Sequence, residues 1–138
     1  MKVNILVVDD EPDSELLFKQ NFQEEIDANT MELYYANSGE QALQTLSKIK
    51  EKINLIIILS DINMPGMRGI KLLQEIKKSY PTSIIFMITS YGKSEEVIRA
   101  WEYGAEEIII KPINFNYLKN LIQDLIRASK ITENGGHL

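Results

Sequence analysis

Five short apolar runs, rich in branched side chains and regularly spaced, constrain this chain more than any other feature. They are Val3 to Val8, Met31 to Ala36, Leu55 to Leu59, Ile84 to Ile88 and Ile108 to Ile110. Each is too short for an ordinary helix and suits a strand. Their starts lie 28, 24, 29 and 24 residues apart, and each gap carries a helical apolar pattern, so the chain reads as successive strand–helix units. The expectation is an α/β protein: a doubly wound, five-stranded parallel sheet with five helices. Four of the runs are almost purely apolar, as parallel strands covered on both faces are, whereas the second carries Glu32 and is expected at an edge. Right-handed crossovers then allow the strand order 2-1-3-4-5, which puts a ligand crevice at the carboxyl ends of strands one and three.

The helices between the runs have readable apolar faces. These are Leu17, Phe18, Phe22 and Ile26; Ala42, Leu43, Leu46 and Ile49; Leu72, Leu73 and Ile76; Val97, Ile98 and Trp101; and Phe115, Leu118, Ile122 and Leu125. Asn114 is the expected cap of the fifth, and Gly135 and Gly136 lie beyond its end. With 138 residues in all, one domain is expected at residues 1–129, followed by a flexible tail or linker at 130–138.

Composition excludes several chemistries. There is no cysteine, which leaves no disulfide framework or thiolate metal site, and the single histidine, His137, disfavours a histidine-based catalytic or metal centre. Twenty acidic residues against fifteen basic ones give a net charge of −5, which disfavours direct nucleic acid binding. No apolar stretch approaches a membrane span, and the start lacks a signal peptide's cleavage region. A cytoplasmic protein without membrane contact is expected.

Chemistry-bearing residues gather where the strands end: Asp9, Asp10 and Glu11 after the first, Ser60 and Asp61 after the third, Thr89 and Ser90 after the fourth, and Lys111 with Pro112 after the fifth. In the order 2-1-3-4-5, Asp9, Asp10, Asp61, Thr89 and Lys111 converge on one crevice. Crowded carboxylates oppose one another's ionisation unless a cation joins them, and an all-oxygen site suits Mg²⁺ together with a phosphoryl group. Lys111 and the Thr89 hydroxyl would serve phosphoryl oxygens. Asp61 is the carboxylate chosen as nucleophile, giving an aspartyl phosphate.

Val-Val-Asp-Asp-Glu-Pro at 7–12, Ser-Asp-Ile-Asn-Met-Pro-Gly-Met at 60–67, Ile-Thr-Ser at 88–90, Tyr-Gly-Ala at 103–105 and Lys-Pro at 111–112 occur in one order. From Lys2 to about Ser129 the chain resembles the receiver (CheY-like) domain of bacterial two-component response regulators, a flavodoxin-like fold that is itself an illustration of the 2-1-3-4-5 order. The resemblance implies that Asp61 accepts the phosphoryl group and that Asp10 and Asp61 bind Mg²⁺ directly. It gives Asp9 a role through water and Asn63 one through its backbone carbonyl. It also implies that Thr89 is the switch hydroxyl and that Lys111 pairs with the phosphoryl group before a cis bond to Pro112. The implied function is a signalling switch, not an enzyme with a separate substrate, that takes part in its own phosphorylation and dephosphorylation. Its partners would be a sensor histidine kinase or histidine phosphotransfer protein and an unidentified output protein or domain. The implied output and homodimer face comprises the fourth predicted helix, strand five and the fifth helix, with Trp101, Ile110, Ile113 and Leu118 contributing apolar area.

Two positions depart from the family pattern. Ile108 stands where the family commonly has the Tyr or Phe that moves with the threonine, and Arg68 replaces the usual Asp of the loop after the phospho-acceptor. Simpler readings stand beside the sharp one. Asp9 and Asp10 can cap a helix beginning near Pro12, Asp61 can form a turn with Asn63, Pro65 and Gly66, and Lys111 can be a solvated lysine before a turn. Tyr34 and Tyr35 read as structural. The rival functions are a metal-dependent hydrolase with an aspartyl nucleophile and a constitutive interaction module with a degenerate switch. The first is weakened by the absence of an Asp-X-Asp after strand one and of chain for a cap domain; the second is motivated by Ile108.

Overall fold

The computed structural model describes residues 2–49, 56–64, 66–90 and 95–131. Leu55 and Pro65, the Gly135–Gly136 pair and His137 lie outside the described residues. The chain alternates β1 (Val3–Val8), α1 (Pro12–Asn21), α2 (Gln23–Asp27), β2 (Met31–Ala36), α3 (Gly39–Ile49), β3 (Ile56–Asp61), α4 (Gly69–Ser79), β4 (Ile84–Thr89), α5 (Glu95–Glu102), β5 (Glu107–Ile110) and α6 (Phe115–Ile131). All strand pairs are parallel, in the order β2-β1-β3-β4-β5, as the apolar runs imply, with β2 at an edge.

Period-two alternation along the strands divides the core in two. Leu6, Val8, Ile58, Ile85 and Met87 pack with α3, α4 and α5. Val3, Ile5, Val7, Ile57, Leu59, Phe86, Ile88 and Ile109 pack with α1 and α6 on the other face. Consecutive residues of the inner strands thus feed opposite cores, which is why those runs are almost continuously apolar, with Asn4 of β1 the buried polar exception among their interior positions.

Among the described residues there are six helices, not the five expected, because the first predicted helix is interrupted at Phe22 (φ −108°, ψ 16°). The hydrogen bonding carries through, from the Phe22 N–H to the Phe18 carbonyl and from the Ile26 N–H to the Phe22 carbonyl. Phe22 is fully buried; its ring stacks on Phe18 and meets Phe115 of α6 edge-on at 6.0 Å, an aromatic cluster that holds the interruption inward. Leu17, expected on the inner face, is exposed. The fourth expected face also turns: Val97 and Ala100 are buried in the core shared with α3 and α4, whereas Ile98 and Trp101 are exposed. At α6 the cap is as expected, with the Tyr117 N–H donating to the Asn114 side chain at 3.1 Å. Among the described residues no helix is long and apolar enough to cross a membrane.

Candidate functional site

β1 runs apolar to Val8 and then delivers Asp9 at the carboxyl edge of the sheet, where the Asp9 N–H still donates to Ala36 of β2 at 3.0 Å. The Asp9 carboxylate is buried and accepts the Glu11 N–H at 3.0 Å, an Asx-type turn that leads into α1 with Pro12 in its first turn. Asp10 is exposed. β3 ends on Asp61, also buried, whose Oδ1 accepts the Asn63 N–H at 3.1 Å and whose Oδ2 accepts Lys111 Nζ at 2.8 Å. Carboxylate oxygens of Asp9, Glu11 and Asp61 lie within 4.8 Å of one another. Lys111 Nζ is 3.7 Å from Glu11 as well.

Three carboxylates and one ammonium carry a formal charge of −2. An all-oxygen group with that imbalance fits a hard divalent cation, which Mg²⁺ satisfies through carboxylates and waters. The same imbalance acts on Lys111. Partial burial, the largest single influence, works against its charged form, but the hydrogen bond and charge of Asp61, followed by the charges of Asp9 and Glu11, more than offset it and raise its pKa above the usual lysine value.

Thr89 is buried at the end of β4, and its carbonyl accepts the Lys111 N–H at 2.9 Å, so the two residues are tied through the backbone. The Lys111–Pro112 bond is cis, as the resemblance implies. α4 begins at Gly69 directly against the end of β3: a Cβ there would lie 2.3 Å from the Asp61 carbonyl oxygen and 2.7 Å from the Ile62 Cα, so only glycine permits this approach.

The structure therefore brings together Asp9, Asp61 and Lys111, with Thr89 at the neighbouring strand end and Asn63 joined to Asp61 through its N–H. It adds Glu11 to the carboxylate group, while Asp10 stands at the exposed rim outside it. Ile108 is half-buried against the α3–α5 core, and Arg68 reaches Glu96 of α5 at 3.6 Å. Leu118, expected on the output face, is instead fully buried against α1 and the sheet. Tyr35 is closer to the site than a structural reading suggests: its hydroxyl is hydrogen-bonded to the carbonyls of Asp9 at 2.7 Å and Glu11 at 2.9 Å. Burial first, then the charge of Asp9, pushes its pKa up to about 12 against a counteracting hydrogen bond from Ser14, so at neutral pH it remains a donor. Beside the carboxylates a groove of about 930 Å³ opens between α1 and residues 111–115, with Leu16, Leu17, Phe18, Ile113 and Phe115 in its walls.

The response regulator receiver domain model matches residues 5–123. The regulatory protein AtoC of Escherichia coli (strain K12) is 28% identical over 134 residues, 97% of this chain and 27% of AtoC. The transcriptional regulatory protein ZraR of Klebsiella oxytoca is 33% identical over 98 residues, 71% of this chain and 21% of ZraR. The chain thus spans less than a third of either relative. Among solved structures, a response regulator receiver domain protein from Clostridium thermocellum superposes with a TM-score of 0.76 at 31% identity, covering 94% of this chain and 98% of the other. The response regulator protein TrrA from Thermotoga maritima, in complex with Mg²⁺ and BeF, gives 0.73 at 34% identity, covering 91% and 99%. With the match running from the first strand into the last helix, the chain belongs to the family of response regulator receiver domains.

Proposed function

We propose that this receiver domain is a phospho-accepting switch in a two-component phosphorelay, with Asp61 as the acceptor. The observation that carries the reading is the placement of a buried Asp61 carboxylate at 2.8 Å from Lys111 within a three-carboxylate group. An Asp61 oxygen forms a P–O bond as the P–N bond of a phosphohistidine donor breaks, and the departing electron pair stays on the imidazole nitrogen. Lys111 exchanges the Asp61 oxygen for a phosphoryl oxygen, and the Thr89 hydroxyl donates to another. Asp9, Asp61 and the Asn63 carbonyl would hold Mg²⁺, with Glu11 lining the same opening and Asp10, exposed at the rim, turning inward to join them; when bound, the cation would offset charge on the phosphoryl oxygens. The Mg²⁺-bound structure of TrrA supports this by similarity.

The donor is a sensor histidine kinase or histidine phosphotransfer protein in the cytoplasm, and the apolar groove that Asp9, Glu11 and Lys111 help to line offers it a surface. On the other side, Ile98 and Trp101 of α5, Ile110 of β5 and Tyr117 of α6 are exposed. That face suits an output protein or domain, or a second copy of the chain, whose affinity differs between the two phosphorylation states. A second reading is a constitutive interaction module, favoured by Ile108, which is half-buried against the core and has no ring to change its seat.

Intact mass after incubation with acetyl phosphate and Mg²⁺ tests the site. One hydroxylamine-labile phosphoryl group, absent with EDTA and in Asp61→Asn, is the expected result. Unchanged modification of Asp61→Asn removes the assignment. A phosphorylated chain with unaltered Trp101 fluorescence and unaltered self-association supports the constitutive module, as does failure to bind beryllofluoride with Mg²⁺.

A further inference from the structure

We propose that Tyr35 is a positioning residue of the phosphorylation site, its hydroxyl fixing the backbone of residues 9–11 so that Asp9 and Glu11 stand at cation-binding distance from Asp61. The inference rests on the reading of Asp61 as a phospho-acceptor that works with a divalent cation.

Tyr35 lies on the edge strand β2, opposite Val7 of β1. Its ring is half-buried against the core on the α1 and α6 side, so the phenol is braced before it reaches the loop. A phenol has one proton to donate, and here two carbonyls, those of Asp9 and Glu11, share it at 2.7 and 2.9 Å. These carbonyls belong to the peptide planes that follow residues 9 and 11. Anchoring both fixes the directions in which the Asp9 and Glu11 side chains leave the backbone. Other contacts hold the loop at different atoms: the Asp9 N–H on Ala36, the Glu11 N–H on the Asp9 carboxylate, and the Ser14 N–H on the Glu11 carbonyl. None of them restrains the Asp9 carbonyl.

The tether matters because the group it positions repels itself. Carboxylates of Asp9, Glu11 and Asp61 within 4.8 Å push the short loop outward when no cation is bound. A loop free to splay must be drawn back at the expense of cation affinity, whereas one already pinned binds without that cost. Tyr35 touches no reacting atom, so its effect belongs to cation affinity and not to the phosphoryl-transfer step at saturating cation.

Calorimetric titration of the full chain with Mg²⁺ alone tests this, using Tyr35→Phe and, as control, Tyr34→Phe. Tyr34 packs toward the opposite core, so its variant loses a hydroxyl from the same strand without touching the loop. Tyr35→Phe is expected to weaken Mg²⁺ binding about fivefold, the equivalent of one net hydrogen bond, with Tyr34→Phe unchanged. In acetyl phosphate reactions the half-saturating Mg²⁺ concentration should rise by the same factor while the rate at saturating Mg²⁺ stays within about twofold. Wild-type affinity in Tyr35→Phe overturns the inference and leaves the acceptor assignment standing. A lower saturating rate without a change in affinity also overturns it. No Mg²⁺ binding by the wild type removes the phospho-acceptor reading, and this inference with it.

Discussion

Lys111 is held between two carboxylates, 2.8 Å from Asp61 and 3.7 Å from Glu11, and in this position it compensates one of three negative charges. In the proposed switch it is a local counter-ion before phosphorylation and a phosphoryl-oxygen partner after it. Lys111→Ala should reduce the rate of phosphorylation by acetyl phosphate by about a hundredfold, the scale of losing one preorganised charge-stabilising donor, with the far-ultraviolet circular dichroism unchanged. An undiminished rate would remove its role. Asp9, Asp61, Thr89 and Lys111 were legible in the sequence because each closes or directly follows an apolar run, and strand order alone assembles such positions. Glu11 was not assigned to the site because its approach depends on the turn at Asp9, which brings the next carboxylate but one over the crevice while Asp10 stays outside the group. Tyr35 was read as structural for a different reason: its hydroxyl reaches residues 24 and 26 positions away, a relation without any local pattern.

At the scale of elements, apolar periodicity locates every strand and the helical stretch between each pair, but it neither separates α2 from α1 nor orients every helix. In α5 the inward positions are Val97 and Ala100; alanine gives a weak hydropathy signal, so the larger Ile98 and Trp101 drew the face toward solvent. The interruption at Phe22 escaped notice because Phe18, Phe22 and Ile26 continue the helical spacing across it and an aromatic cluster, not a proline or glycine, accompanies the break. Leu17, which the pattern places inside, stands exposed in the wall of the groove that Asp9, Glu11 and Lys111 also line. If a phosphohistidine donor seats on this wall, Leu17→Lys should slow transfer from the protein donor by about tenfold, as loss of one apolar contact residue would, while modification by acetyl phosphate stays at the wild-type rate. Equal slowing with both donors would place Leu17 in the fold and not in docking.

At the scale of the whole molecule, the two groups beside the site with raised pKa values set an alkaline limit. Lys111 and Tyr35 both hold their protons more tightly folded than unfolded, so their contribution is complete below about pH 10 and is lost as pH rises through the folded values. Tyrosinate absorbance should show a final step near pH 12 that is missing in Tyr35→Phe, and the unfolding midpoint should fall less steeply between those limits in that variant. A titration of Tyr35→Phe that matches the wild type would contradict the hydrogen-bonded placement of the phenol. Because α4 begins at Gly69 hard against the main chain of Asp61 and Ile62, bulk and charge added to the Asp61 carboxylate in the proposed switch would meet a wall behind the end of β3. Thr89 and Lys111, linked by one backbone hydrogen bond at the neighbouring ends of β4 and β5, would then take up the displacement, toward the β5 edge of the sheet.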